Sequence, residues 1–396
     1  MSNLDSLRND FKAIDWNFSS FSNEGLNSVH WYPATFISAI PGSIIPILSK
    51  KNDLVLDTYC GTSVTGYESI RLGRSYVGID NNPIAILISK AKLLFPETNS
   101  LKNLFEDIFS NPFLLKRKIQ RHPNEKILKQ WYHEDTINEL NNLLAIIREI
   151  ENPTLRIPSQ MIFSSILKKA SSQSRHWGWV CDNVVPKEGE IIYKNAIEIY
   201  NKTLSAYCEF IDDTLSEMQQ RNISINRKEI RSKWKINCGD TIKHMSELDQ
   251  RSIDLILTSP PYYGVADYVK AQRLSFLWFH KEVMSVEGFS YEDFEVLRKI
   301  ETGARSKRHS LSSFDDYIKY MKTYIEQCYR VLKKGSYLVL IMGDSKSRNQ
   351  TIDVIDFYAS QCGFKKEFNF QRQIRETKRR LMAKVKNEQI KVYVKQ

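Results

Sequence analysis

Six cysteines lie scattered at positions 60, 181, 208, 238, 328 and 362, with no Cys-x-x-Cys pair and no Cys/His grouping at ligand spacing. That pattern argues against a zinc site and a disulfide framework, so no metal is expected and a reducing compartment is. The first ten residues, MSNLDSLRND, are polar and include acids, unlike a secretory signal. No apolar run approaches the roughly 20 residues needed to span a bilayer. A cytoplasmic protein without membrane association is the expectation. Internal repeats and low-complexity tracts are missing as well. What is present is an ordinary globular composition, 42% hydrophobic and 26% charged, on a chain of 396 residues, long enough for one large domain with an insertion or for two domains. A formal net charge of +11 favours a polyanionic partner.

The most informative stretch is DLILTSPPYYG, residues 254–264. Residues 253–257 form an apolar run that predicts a buried strand. Pro260 and Pro261 stop it, because neither can donate to a strand ladder. The carboxyl end of a strand in an open α/β sheet is where ligands bind, and here it carries a hydroxyl, a rigid bend and an aromatic ring.

Upstream, residues 53–57 (DLVLD) predict a strand that runs into the small-residue turn TYCGTSVTG. A helix over residues 66–72 closes at Gly73. A second strand, residues 75–80 (SYVGID), leads through Asn81 and Asn82 to Pro83 and a helix over 84–94. This β-turn-α-β-α order predicts a parallel sheet. It also predicts turn amides facing a ligand at a helix N-terminus, and an acid, Asp80, where ribose hydroxyls are held. Residues 236–240 (INCGD) repeat the strand-ending-in-Asp pattern.

Between these halves the spacing is helical, notably over 136–150, 160–170 and 191–218. Residues 116–133 mix positive charge with Trp131 and Tyr132, and either a solvated face over core rings or nucleic-acid contact fits them. Residues 171–187 bring Arg175, His176 and Trp177 together with small polar residues, a mixture that points to a functional loop. Beyond the proline stop, a helix is predicted over 265–280, a basic loop over 298–309 (with Arg305, Lys307 and Arg308), a helix over 314–332 and a strand over 336–343. A basic run follows over 365–386 (with Arg379 and Arg380), then a final strand over 389–395. Three regions result: 1–96, an arm and a cofactor half; 97–235, a mainly helical insert; and 236–396, a catalytic half.

The ordered set HWYPATF, DTYCGTSVTG, GIDNNP, NCGD and TSPPYYG resembles the DNA amino-methyltransferases that use S-adenosylmethionine. Serine ahead of Pro-Pro-Tyr is most similar to their cytosine-N4 group; adenine-N6 members usually carry Asp or Asn there. The resemblance covers about residues 16–96 and 236–395 and implies a Rossmann-like, mostly parallel doubly wound sheet with a final antiparallel strand. It implies that Phe36 packs against the cofactor and that Asp57, Tyr59, Cys60, Gly61 and Thr62 form the turn around its methionine part. Asp80, with Asn81 beside it, would bind the ribose, and Asp240 the adenine amino group. Two departures stand out: Ser63 replaces a usual second glycine, and Thr58-Tyr59 replace a usual Pro-Phe.

The implied reaction is direct transfer of a methyl group to the N4 amino group of cytosine in duplex DNA after base flipping, with Ser259, Pro260, Pro261 and Tyr262 catalytic. Ser259 and the Pro260 carbonyl would accept from the amino group, and Tyr262 would stack on the base. The absence of a Pro-Cys pair argues against cytosine-C5 chemistry. A target-recognition role for 97–235, and a restriction endonuclease or defence-system partner, follow from the resemblance only. The alternatives are an adenine-N6 enzyme, an RNA base methyltransferase and a nucleic-acid-binding subunit without catalysis.

Overall fold

The computed structural model describes residues 3–19, 21, 25–33, 35–115, 119–173, 185–187, 189–279, 293–307, 311–344, 349–373 and 387–396. Apolar runs bounded by polar turns give seven strands: β1 Leu54–Asp57, β2 Ser75–Asp80, β3 Trp234–Cys238, β4 Ile253–Thr258, β5 Leu332–Asp344, β6 Phe364–Gln373 and β7 Asn387–Lys395. They form one sheet in the order β3-β2-β1-β4-β5-β7-β6. β1 to β5 run parallel, and β7 lies antiparallel between β5 and β6. The doubly wound α/β architecture expected from the sequence is present. Strand order reverses between β1 and β4, so a crevice opens at their carboxyl ends.

Helices cover both faces, which is why β4 is apolar on each: Ile253, Leu255, Ile256 and Leu257 are all fully buried. On one side lie α1 Ala39–Leu48, α2 Val64–Arg71 and α3 Pro83–Leu93. Asn82 caps α3 by accepting from the Ile84 amide at 3.0 Å, with Pro83 in the first turn. Between β2 and β3 the longer helices are α4 Thr98–Ser110, α5 Glu134–Glu149, α6 Pro153–Ala170 and α7 Ala196–Gln220. They share one hydrophobic cluster with α1 to α3 and the sheet. The Tyr207 hydroxyl of α7 donates to the Ala91 carbonyl of α3 at 2.7 Å, fixing one layer to the other. Trp131 and Tyr132 are core rings, each 1% exposed, so the aromatic part of the basic run 116–133 faces inward.

Three stretches differ from expectation. Residues 265–280 are not one helix but two short ones, Tyr268–Ala271 and Arg273–Trp278. The break falls at Gln272, outside helical geometry (φ −105°, ψ 20°), whose side-chain Nε2 donates to the Trp31 carbonyl at 3.4 Å. The basic loop 298–309 begins inside a helix, α8 Asp293–Ile300, and among its described residues contains a 3-10 turn, Arg305–Lys307. Residues 365–386, read only as a charged run, contain most of β6. Phe368 and Phe370 of that strand hold Phe11 and Trp16 of the N-terminal arm, with Trp16 stacked on Phe370 at 4.7 Å. Helix α9 Leu311–Val331 then leads directly into β5. Among the described residues, no helix is long and apolar enough to cross a membrane.

Gly66 of α2 is the point of closest approach between helix and sheet. A Cβ there would come within 2.4 Å of the buried Tyr76 ring on β2. Gly66→Ala is therefore expected to destabilise the protein by about 1–3 kcal/mol through overpacking, read as a lower midpoint in urea unfolding.

Candidate functional site

The carboxyl ends of β1 and β4 meet through side chains. The Thr258 hydroxyl donates to Asp57 Oδ1 at 2.6 Å, and the Tyr59 amide donates to both groups, at 3.2 Å to Thr258 and 3.3 Å to Asp57. Asp57 is wholly buried; burial lifts its pKa to about 6, although the Thr258 and Thr65 hydroxyls and the Tyr59 amide pull the other way.

The turn after β1 was expected to offer its amides to a ligand, and its amides are instead largely spent within the protein. Cys60 N donates to the Ile79 carbonyl (2.9 Å), Gly61 N to Asp80 Oδ2 (2.8 Å) and Ser63 N to the Cys60 carbonyl (2.6 Å). The reason is the shape of the turn: Gly61 (φ 48°) and Ser63 (φ 50°) are both left-handed, folding it back on β2. Ser63, in place of a glycine, takes a conformation costly for a side chain, and its hydroxyl lies 3.2 Å from that of Tyr76. The turn's carbonyls are held from α3, Gly61 by the Ser89 hydroxyl (2.8 Å) and Thr62 by the Lys92 ammonium (2.6 Å).

A cavity of about 340 Å³ opens above these strand ends. Ten of the residues singled out from sequence line it: Phe36, Tyr59, Cys60, Gly61, Thr62, Asp80, Asn81, Asp240, Ser259 and Pro261. Asp57 lies beneath its floor. Asp80 also accepts from the Asn82 amide at 2.9 Å, and burial raises its pKa to about 6. Asp240 caps the helix Thr241–Ser246 by accepting from the Lys243 amide at 2.8 Å. Pro260 and Tyr262 are buried and are not on the wall. The Tyr262 hydroxyl donates to the Ile341 carbonyl of β5 at 3.2 Å and accepts from Ser259 at 3.1 Å, which seats its ring in the sheet's second hydrophobic cluster.

Lys307 and Arg305 lie on the 3-10 turn, off this cavity; Arg175, His176, Trp177, Arg308, Arg379 and Arg380 lie outside the described residues. Sequence reasoning missed Tyr32, Tyr268, Glu301 and Tyr320, which also line the cavity. Tyr32 and Tyr268 form a near-parallel ring pair, 6.4 Å between centroids. His30 anchors the segment bearing Tyr32: its Nδ1 donates to the Trp31 carbonyl (2.7 Å), so Nε2 accepts from the Ser164 hydroxyl of α6 (2.8 Å), and burial lowers its pKa to about 4. Glu301 is the one acid in RKIETGARSKRH, a signal hidden by its basic neighbours.

The chemistry of the lining restricts the ligand. Among the described residues it carries three carboxyls (Asp80, Asp240 and Glu301), aromatic faces and hydroxyls, and no Lys, Arg or His. That suits a cationic nucleoside with free hydroxyls and does not suit a polyphosphate. No group of His, Cys, Asp and Glu among the described residues could hold a metal ion.

The sequence profile of the N6/N4 DNA methylase family matches residues 5–91 and 253–396, more than half of the chain. The chain belongs to this family. Among curated relatives of this methylase, the Type II methyltransferase M.MvaI of Kocuria varians is 23% identical, over 64% of this chain and 57% of its own length. The Type II methyltransferase M.MjaII of Methanocaldococcus jannaschii is 20% identical, over 81% of this chain and 72% of its own. The match therefore spans little more than half of M.MvaI. A solved SAM-dependent methyltransferase structure from Methanosarcina mazei aligns over 89% of this chain and 96% of its own, at 11% identity and a TM-score of 0.32. The profile passes over residues 92–252, so the methylase signature lies in the two segments that carry the cavity's turn and the proline stop.

Thr258→Val keeps the shape of the side chain and removes the hydroxyl that holds Asp57. A loss of about 1–3 kcal/mol is expected from a buried carboxyl deprived of its shortest hydrogen bond, measured by calorimetric unfolding, with Thr258→Ser retaining most of the stability.

Proposed function

We propose that this methylase transfers a methyl group from S-adenosylmethionine to the exocyclic N4 amino group of cytosine in duplex DNA. The observation that carries the reading is the hydrogen-bond chain behind Ser259. Its hydroxyl proton points inward to Tyr262, whose own proton goes to the Ile341 carbonyl. The lone pairs of Ser259 are thereby left to accept from a donor in the cavity. Of the two proline carbonyls, that of Pro261 already accepts the Tyr317 hydroxyl at 2.9 Å; the second acceptor is assigned to the carbonyl of Pro260, which is buried between the wall residues Ser259 and Pro261.

Two acceptors are what an exocyclic amino group requires. Its lone pair is delocalised into the ring, and accepting from both N–H bonds favours a pyramidal nitrogen and stabilises the positive charge that develops on it. The sulfonium of the bound cofactor supplies an electrophilic methyl group. Asp80 is assigned to its ribose hydroxyls, Asp240 to its adenine amino group, Phe36 to packing against it, and Asp57 with the turn Tyr59–Thr62 to its methionine part. The acid-lined cavity supports that assignment. Tyr262 becomes a positioning residue in this scheme, and Tyr268 on the cavity wall offers the ring for a flipped base. Ser259, aligned with the cytosine-N4 group by resemblance, favours cytosine over adenine. The net charge of +11 and the Type II methyltransferase relatives support DNA as the partner, with residues 97–235 assigned to target recognition.

Mass spectrometry of nucleosides from DNA methylated by the protein should show N4-methylcytosine. N6-methyladenine alone would transfer the reading to the sister reaction, and methylation of tRNA or rRNA without duplex DNA would overturn it. Ser259→Ala should lower turnover about a hundredfold with cofactor affinity retained. Tyr262→Phe should also lower turnover, by about tenfold; a ring that only stacked would tolerate that change.

A further inference from the structure

The central cavity has the opposite charge to the chain that encloses it. The protein carries a formal net charge of +11, yet Asp80, Asp240 and Glu301 line the cavity without a basic side chain among the described residues. The proposed function employs the first two. Glu301 is left over, and it is the most buried of the three at 5% exposure.

Its surroundings are unusual for a carboxyl. Oε1 accepts the Tyr268 amide at 2.5 Å, and the Val269 amide also donates to the group. No cationic side chain pairs with it among the described residues. Lys307, the nearest base, turns its ammonium to the backbone carbonyls of Lys299 and Glu301 (3.1 Å to the latter). The Tyr268 amide belongs to the segment that continues directly from Ser259 and Pro261. Glu301 is thereby fastened to the segment that carries Ser259 and Pro261, on the methyl-acceptor side of the cavity.

We propose that Glu301 is the counter-charge to the cationic sulphur of the bound methyl donor, ionised while that charge is present and protonated once it has gone. The inference rests on the reading that the cavity binds S-adenosylmethionine. Burial raises the Glu301 pKa to about 8, so the free protein holds the proton at neutral pH. Asp267 disfavours its ionised form and Lys307 favours it, and the hydroxyls of Tyr32 and Tyr268, both pushed up by burial, interact with it; Asp316, Tyr317 and Tyr320 line an adjoining pocket with it. Asp80 and Asp57, near 6, are already largely ionised at pH 7.

The protons balance. Binding of the cation expels one proton from Glu301 to solvent. In transfer, the sulphur–methyl bond breaks and the nitrogen–methyl bond forms, and the positive charge passes to the amino nitrogen. That nitrogen then loses one proton and recovers its lone pair, the cavity is left without a cation, and Glu301 takes up one proton. One proton is released per methyl group transferred, as the overall reaction demands.

The test is isothermal titration calorimetry at pH 7.0 in two buffers of different ionisation enthalpy, with S-adenosylmethionine and with S-adenosylhomocysteine, which lacks the sulfonium. Close to one proton should be released by the first ligand and about none by the second. Glu301→Gln should abolish the release and weaken S-adenosylmethionine about ten- to hundredfold, with S-adenosylhomocysteine unchanged. Equal release by both ligands in the wild-type protein would overturn the proposal, since it would put Glu301 against the ammonium that both share. Unaltered release in Glu301→Gln would overturn it too. Failure of either ligand to bind the wild-type protein would instead overturn the functional reading on which it rests.

Discussion

The hydrogen bond from Thr258 to Asp57 joins residues 201 positions apart at the one place where the strand order reverses. Parallel strands leave their carboxyl ends side by side, and a buried carboxyl there is costly unless something donates to it. Thr258 and the Tyr59 amide do so together, binding the end of β4 to the second residue of the turn after β1. That fixes the turn bearing Cys60, Gly61 and Thr62 relative to Ser259 and Pro261.

The same economy governs the turn itself. Its amides are paired with β2 and with its own carbonyls, and Ser89 and Lys92 hold the remaining carbonyls from below. A turn built in this way is rigid but offers no anion site. The polarity of the pocket then comes from side-chain carboxyls, in a protein whose overall charge is strongly positive. The two fields are separable because the interior is screened from the solvent by low-polarity walls, whereas the outer charge decays over about one Debye length, roughly 8 Å at physiological salt. A polyanion and a cationic nucleoside can thus be attracted to one molecule without competing for the same surface.

The strands of the sheet's parallel part were readable because their cues are local. DLVLD, SYVGID and DLILTSPPY each combine an apolar run with a polar or proline stop, and their boundaries moved by only a residue or two. The acids Asp57, Asp80 and Asp240 and the hydroxyl of Ser259 were legible for the same reason, each sitting at the end of such a run. Glu301 and Tyr320 were not, since one lies in a basic tract and the other on an amphipathic helix, and only the packing of α8 and α9 beside the proline stop brings them to the cavity. The seat of Tyr262 was hidden for a similar reason: the motif shows a ring next to a site, but not that its hydroxyl has the Ile341 carbonyl to satisfy. β6 escaped notice because its lysines and glutamate mask an edge strand, where charge is tolerated. The helix expected over 265–280 breaks at Gln272, whose tie to Trp31 cannot be seen along the chain.

The order β5-β7-β6 gives the sheet a property that unfolds in time. A ribosome delivers β6 before β7, yet β6 pairs only with β7, and β5 keeps a bare edge until residues 387–395 arrive. The arm that covers β6 through Phe11 and Trp16 precedes every strand of the sheet in the chain and meets its seat only when β6 has followed. A nascent chain stopped short of β7 exposes an unpaired, apolar strand edge, the kind of surface that aggregates or recruits chaperones. The sheet is closed only by β7, the last of its seven strands along the chain, so its completion depends on these nine residues.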